Sequence, residues 1–463
     1  MYKLIICLFA CLSTLHAQEK YLSLEDANAI IRNYHPVVRQ AKLEVAQADA
    51  ALQAARGLFD PSFYNTLEQK TFNGTDYFNY NSQTLKIPTW FGVDIKAGLE
   101  NNTGLRTDPS LTTDKSTYVG ISIPVLKGLL FDKRRAAVQQ GKLFVRMSQQ
   151  EQRLMINELL LEASMTYWKW AAAHRVNAVL SKALTVSENR YNLVRKSWLS
   201  GDRAAIDTVE AMAQLQAVQV MQSQAGYELQ KARLMLGNFM WTPESKPYDL
   251  PEEVLPDTSW MAVPVKAYPV PVLDDMLKLA LETHPKLMNT QLKGDVLTIE
   301  KRAKFQSLLP KFDISYNFLN KGYGLNKTFS QPLFENNYKY GAQFALPLFQ
   351  REARGDYRLA KLKLQDNLLE LDKLKLEIGN KVKAVYAEIL AMQQQVLFMQ
   401  QNTLNQQLLL QAEETKFNLG ESSLFLVNAR ENKLLETEQK YAELRSKFFI
   451  SLQAIQAAAG TLR

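Results

Sequence analysis

Two kinds of apolar periodicity alternate along this chain. Phe312, Ile314, Tyr316 and Phe318 alternate with Asp313, Ser315 and Asn317, and Tyr340, Ala342, Phe344 and Leu346 alternate with Lys339, Gly341 and Gln343. The same period of two runs through Phe91, Val93, Ile95, Ala97 and Leu99, and through Val119, Ile121 and Ile123. This is the pattern of a strand with one apolar face. Elsewhere the period is helical. Leu364, Leu368, Leu371, Ile378, Val382, Val385, Ile389, Met392, Val396 and Met399 recur in steps of four and three, with Lys375 the one polar interruption. That predicts a coiled-coil seam. Ile156, Leu160, Ala163, Tyr167 and Trp170 follow the same rhythm.

Proline breaks a helix interior, so its distribution shows where long helices are allowed. Residues 125–242 and 348–463 contain none, whereas seven of the 16 prolines fall between Pro243 and Pro271. His35-Pro36 and His284-Pro285 are 249 residues apart, as are Pro61 and Pro310, and Leu24-Glu25-Asp26 matches Leu273-Asp274-Asp275 at that offset. Tyr167 to Gly201 and Tyr386 to Gly420 each span 34 residues. The chain reads as an internal duplication: segment 1–17, a first repeat over 18–242, a proline-rich middle segment over 243–271 and a second repeat over 272–463. Each repeat runs helix, strands, very long helix, glycine break, helix. Helices over most of 127–200 and 350–419 span roughly 100–110 Å at about 1.5 Å per residue. No compact core needs that length.

Each strand segment is close to the roughly 9–11 residues of a membrane strand, with polar loops between them. A water-facing sheet is the other reading of any one strand. Two hairpins per chain cannot close a barrel, and an open edge is not viable in lipid. A membrane sheet therefore requires several chains to pool their strands.

Composition and charge narrow the classes. A 46% hydrophobic, 22% charged chain is ordinary for a folded protein, and +8 over 463 residues without a dense basic block gives no sign of nucleic-acid binding. Outside residues 1–17 no apolar run approaches the roughly 20 residues of a membrane helix. Lys3, the apolar Leu4–Leu15 stretch and Ala17 resemble a cleavable secretory signal, with lipidation at Cys11 as the other reading. Both cysteines, Cys7 and Cys11, lie within it, so the expected mature chain has no disulfide or thiolate site.

An exported chain built of duplicated helix–hairpin–long helix–helix halves resembles the TolC family of outer-membrane efflux proteins. The resemblance rests on Leu273-Asp274-Asp275 to His284-Pro285, on Ile123-Pro124-Val125-Leu126 and Leu346-Pro347-Leu348-Phe349 followed by Arg135 and Arg354, and on Gly201 and Gly420. It implies a mainly α fold with a membrane β-barrel contribution, in a homotrimer whose chains each give four strands to one barrel. It also implies an outer-membrane location in a Gram-negative bacterium, with a helical periplasmic tube. The implied function is the exit duct of a tripartite efflux system, docking onto a periplasmic adaptor and an inner-membrane pump. A duct for type I protein secretion and a periplasmic coiled-coil scaffold outside the membrane are the alternatives. The stretch 91–99 is one strand more than two per half requires.

The residues carried into this reading fall into three groups. Leu199, Ser200, Gly201 and Asp202, with Leu419, Gly420 and Glu421, are the expected helical-hairpin tips that meet the adaptor. The family often places carboxylates six and nine residues after the second glycine; here Leu426 and Ala429 stand there, while the first half holds Asp207 and Glu210 as candidates for a periplasmic constriction. Phe312, Ile314, Tyr316, Phe318, Tyr340, Ala342, Phe344 and Leu346 are expected to face lipid. His35 and His284 precede prolines, and His174 continues the apolar stripe, so none reads as a ligand. No catalytic constellation, metal site or cofactor is expected.

Overall fold

A computed structural model of the chain describes residues 20–324, 334 and 336–462; the expected signal segment 1–17 lies outside them. In the first half, β1 (Lys20–Leu22) precedes α1 (Leu24–Tyr34) and α2 (Pro36–Arg56), then β2 (Ser62–Phe72), β3 (Thr75–Pro88), β4 (Asp94–Thr103) and β5 (Asp114–Pro124). Next come α3 (Lys133–Leu199), α4 (Ala205–Gly237) and the short β6 (Val254–Pro256) of the middle segment. The second half holds α5 (Leu273–Thr283), α6 (Pro285–Gln306), β7 (Lys311–Lys321), β8 (Tyr338–Ala345), α7 (Arg351–Asn418) and α8 (Leu424–Ala458).

The paired His-Pro steps act as read from the sequence. His35 (φ −64°, ψ 135°) ends α1 and His284 (φ −61°, ψ 123°) ends α5, each in extended backbone, and the following proline opens the next helix. A residue before proline is driven out of the α region, so the break is local and repeats with the dipeptide.

The chain forms two compact units: one of residues up to Gln40, Leu154–His284 and from Ile378 onward, the other of Ala41–Arg153 and Pro285–Glu377. The first is helical. The stripe Leu160, Ala163, Tyr167 and Trp170 is fully buried, with Leu160 and Ala163 packed beside Ile31, Val38, Ala457 and Leu462. Farther along, Leu180 and Ala183 of α3 meet Val218 and Ala225 of α4 and Leu435 of α8. The proline-rich middle segment is anchored here: β6 pairs in parallel with β1, and buried Arg445 donates to the carbonyls of Trp260 (2.6 Å) and Val263. Trp168 stacks on Phe449 at 4.4 Å, so these aromatics are core.

The second unit holds a six-stranded antiparallel sheet in the order β2-β3-β4-β5-β7-β8. The first half thus supplies two hairpins and the second half one. The stretch 91–99 is not an appendage: it becomes β4, begins at Asp94, and lies between β3 and β5. β2 and β3 have no counterpart in the sequence reading, because Asn, Gln and Thr occupy many of their positions on both faces. Leu346 lies one residue beyond β8.

The α7 seam also differs by a residue. Leu374, Ile378, Val382, Ile389 and Val396 are buried, but Leu368 is 53% exposed and Asn367 is buried in its place. Asn367 holds that position by donating its amide N–H to the Thr290 carbonyl of α6 (3.2 Å), a bond no apolar side chain could make.

Candidate functional site

The ladder register decides which side chains share a face of the sheet. Phe312, Ile314 and Tyr316 lie directly opposite Phe344, Ala342 and Tyr340, while Phe318 opposes Tyr338. On the other side of β7, Ile314, Tyr316 and Phe318 oppose Ile123, Ile121 and Val119. The row continues through Ile95 and Ala97 of β4 to Ile87 and Leu85 of β3 and on to Phe63 of β2. Seven of the eight residues expected to face lipid are therefore on one side of the sheet, joined by apolar residues from all four first-half strands.

The charge census separates the two sides. Across the paired positions of the apolar side the charged residues are two, both near one end of the sheet: Lys115 at the start of β5, and Asp76 of β3, which lies opposite Thr71 beyond a bulge. The opposite side carries Glu68, Lys86, Asp94, Lys96, Glu100, Asp313 and Lys339. Its polar groups pair with one another: Asp94 takes Lys86 at 3.0 Å and Arg134 at 2.9 Å, and the Tyr118 and Thr84 hydroxyls meet at 2.7 Å. Where the strands meet the helices, Trp90, Phe91, Leu130, Leu348 and Phe349 are all more than half exposed and extend the apolar surface. Apart from Phe91, which opens the alternating run 91–99, they belong to no periodic pattern in the sequence, and only the junction gathers them.

The turn from β5 into α3 is fixed by Asp132 and Arg135. The Asp132 carboxylate accepts the Arg135 backbone N–H at 2.8 Å, and the Arg135 guanidinium reaches back to the carbonyls of Gly128 and Leu129 at 2.6 and 2.8 Å. Burial pushes the Asp132 carboxyl up, but that N–H and the guanidiniums of Arg134 and Arg135 outweigh it and hold it below its ordinary value.

The two helix hairpins end alike. Gly201 (φ 81°) and Gly420 (φ 78°) take the left-handed conformation that side chains resist. In each turn the glycine N–H reaches three residues back, to Trp198 or Phe417, and the next N–H reaches five back, to Ser197 or Lys416. These are the paired bonds of a Schellman turn. Leu199 and Leu419 stand about 70% exposed beside Ser200, Asp202 and Glu421, with Ile206 and Phe425 also exposed.

Behind the tips a polar cluster ties four helices together. Arg190 of α3 pairs with Glu431 of α8 at 2.5 Å and with Glu414 of α7 at 3.4 Å. Gln214 of α4 donates to Asn432 at 2.8 Å. Of the two candidate constriction carboxylates, Asp207 sits 3.6 Å from Arg203, and Glu210 accepts from Asn428 at 3.5 Å. The sequence showed the two carboxylates but not the partners that α8 and the turn bring to them. Among the described residues no group of three or more His, Cys, Asp or Glu converges as a metal site, and no helix is long and apolar enough to cross a membrane.

Residues 276–461 match the sequence model of the outer membrane efflux protein family. Over that stretch the chain is similar to outer membrane efflux proteins. The fold agrees over nearly the whole length. The Campylobacter jejuni CmeC outer membrane channel is 13% identical with a TM-score of 0.66, over 95% of this chain and 86% of that one. The open-state Neisseria gonorrhoeae MtrE channel is 14% identical at 0.66, over 95% and 89%. The Vibrio cholerae outer membrane protein VceC is 14% identical at 0.65, over 95% and 97%. No curated protein sequence matches the chain. The efflux family is one of transport ducts, and the mainly helical fold with its antiparallel sheet is the one these channels have.

Proposed function

We propose that three copies of this chain pool their sheets into a barrel in the outer membrane of a Gram-negative bacterium and serve as the exit duct of a tripartite efflux system. In this reading the apolar side of the sheet faces lipid and the charged side lines the pore. The long helices carry the conduit into the periplasm, and the two glycine turns meet a periplasmic adaptor bound to an inner-membrane pump. The observation that carries the proposal is the division of the sheet: six strands, one side almost without charge, the other lined with ionisable groups. A water-soluble sheet would have no reason to keep charge off an exposed side. The exposed Leu199, Ile206, Leu419 and Phe425 give both tips an apolar surface suited to a helical partner.

Membrane fractionation tests the proposal. The protein should remain in the outer membrane after a carbonate wash and run as a heat-modifiable oligomer in SDS. Release by carbonate would favour the soluble scaffold. Bilayer conductance of the purified protein should show a channel, and cross-linking at Leu199 or Leu419 should capture an adaptor.

A further inference from the structure

The sheet has two open edges. Among the described residues β2 pairs only with β3 and β8 only with β7, and nearly every residue of both edge strands is exposed. Unpaired backbone groups along an edge are not tolerated in lipid. We infer that the β8 edge pairs with the β2 edge of a second copy, so that each chain gives six strands and the closed barrel has about 18. This rests on the three-copy reading above and departs from the four strands per chain that the TolC resemblance implies.

Three observations support it. First, direction: six strands in antiparallel order leave β8 running opposite to β2, so copies join without a parallel pair. Second, stagger. Phe63 lies level, through the successive ladders, with Leu85, Ala97, Val119, Phe318 and Tyr338. Phe63 is the second residue of β2 and Tyr338 the first of β8, so nearly all of β2 lies on one side of this row and nearly all of β8 on the other. The edges can pair along their length only if one copy is shifted along the strands by some six to eight residues. Strand alternation restricts the shift to an even number. Six to eight residues over six strands, at about 3.3 Å per residue and about 4.8 Å between strands, give a tilt of roughly 35–43°, which is that of closed barrels.

Third, charge chooses between the two shifts. A shift of six places Phe63 opposite Phe344, Leu67 opposite Tyr340, and Glu68 opposite Lys339. A shift of eight places Lys70 opposite Lys339, and like charges directly across a ladder repel. Glu68 is exposed and makes no ion pair among the described residues, and Lys339 spends one donor on the Ser110 carbonyl (2.8 Å) with two remaining. The same shift, spread as one residue per strand, brings Gln69, Asn81, Asn101, Thr117 and Asn320 to nearly one level. They form a polar rim above the apolar band, within which Asn65 and Gln83 oppose each other. Taken around 18 strands at about 35°, strand spacing gives a barrel about 34 Å across, against about 22 Å for 12 strands.

The test uses disulfides in the full-length protein purified from membranes. Both natural cysteines fall in residues 1–17, so a paired substitution reports cleanly if that segment is removed, and Cys7→Ser with Cys11→Ser provides the control background. Tyr64→Cys with Gln343→Cys should carry most of the protein into covalent dimer and trimer without reductant. Thr66→Cys with Gln343→Cys, the pair for a shift of eight, should cross-link several-fold less. Lys96→Cys with Gln343→Cys joins copies only if β4 is the closing edge, and efficient trapping there would overturn the six-strand barrel in favour of 12 strands. Glu68→Lys or Lys339→Glu alone should lower the temperature at which the SDS-resistant oligomer dissociates, and the two together should restore it. Cross-linking at no pair, in protein that carbonate releases, would sink the membrane reading itself. Membrane-held protein trapped at the wrong pair would sink only this inference.

Discussion

The two halves of the chain carry helices of matched length and sheets of unmatched size. Helices α1 and α5 are both 11 residues, α2 and α6 are 21 and 22, α3 and α7 are 67 and 68, and α4 and α8 are 33 and 35. Yet among the described residues the first half gives four strands to the six-stranded sheet and the second half two. The difference has a geometric cause. Losing one turn from a helix draws everything beyond it in by about 5.4 Å, so two halves that must meet at both ends keep their helix lengths matched. A hairpin returns the chain to the level where it left, so strands can be added two at a time without disturbing the helices. The sheet is where such a fold can vary.

The largest expected effect tests whether both halves share one lipid face. Phe344→Arg and Ile121→Arg should each abolish the SDS-resistant oligomer, at about 2–4 kcal/mol for an arginine near mid-membrane. Gln343→Arg and Ser122→Arg, one residue away on the charged side, should assemble normally. If Ile121→Arg were tolerated while Phe344→Arg was not, the first-half strands would lie outside the membrane.

Next comes the cluster that joins the halves behind the tips. Arg190→Ala leaves Glu431 buried without its partner and should cost about 3–5 kcal/mol, read by thermal unfolding. Arg190→Met with Glu431→Leu should recover much of that loss, since no charge then remains buried. A loss confined to one half would show that the cluster does not couple the two.

The helix starts differ between the halves. Asp132 caps α3, whereas Gln350 precedes α7 with φ 46° and no comparable cap. Asp132→Asn should cost about 1–2 kcal/mol at neutral pH, and Gln350→Ala should cost little. Because the folded Asp132 carboxyl titrates below its unfolded value, the stability it confers is complete above the ordinary carboxylate range near pH 4. That stability drains as pH falls through the folded value. Acid titration of unfolding should show that limb in the wild type and not in Asp132→Asn.

The tips should behave alike. Gly201→Ala and Gly420→Ala should each cost about 1 kcal/mol, because both hold the same left-handed turn in open space. Unequal losses would mean that one tip is held by more than its turn. The smallest effect is electrostatic: Asp207→Asn with Glu210→Gln should leave stability nearly unchanged while weakening cation preference and divalent block in single-channel recordings. Unchanged selectivity would place the constriction elsewhere, as pairing of Asp207 with Arg203 would favour.

Much of this molecule was legible because its signals are local. His-Pro ends a helix wherever it stands, a glycine after a long periodic run ends another, and alternation in β5, β7 and β8 marks a half-apolar strand without reference to neighbours. Where the sequence misled, the deciding contact was distant. Leu368 fits the heptad count, but Asn367 takes the buried place because the Thr290 carbonyl lies across from it on α6. Strands β2 and β3 escaped notice because polar residues such as Asn65 and Gln83 break the alternation and come opposite each other only once the strands pair.

By itself, then, the sequence determined the duplication, the length of the helices and the apolar side of most strands, since backbone dihedrals and side-chain periodicity act within a few residues. Tertiary structure decided how many strands enter the sheet, which residues stand level across it, and which carboxylates keep a partner. Those are set by register and by groups as far apart in sequence as Arg190 and Glu431, where a shift of one residue exchanges one side of a strand for the other.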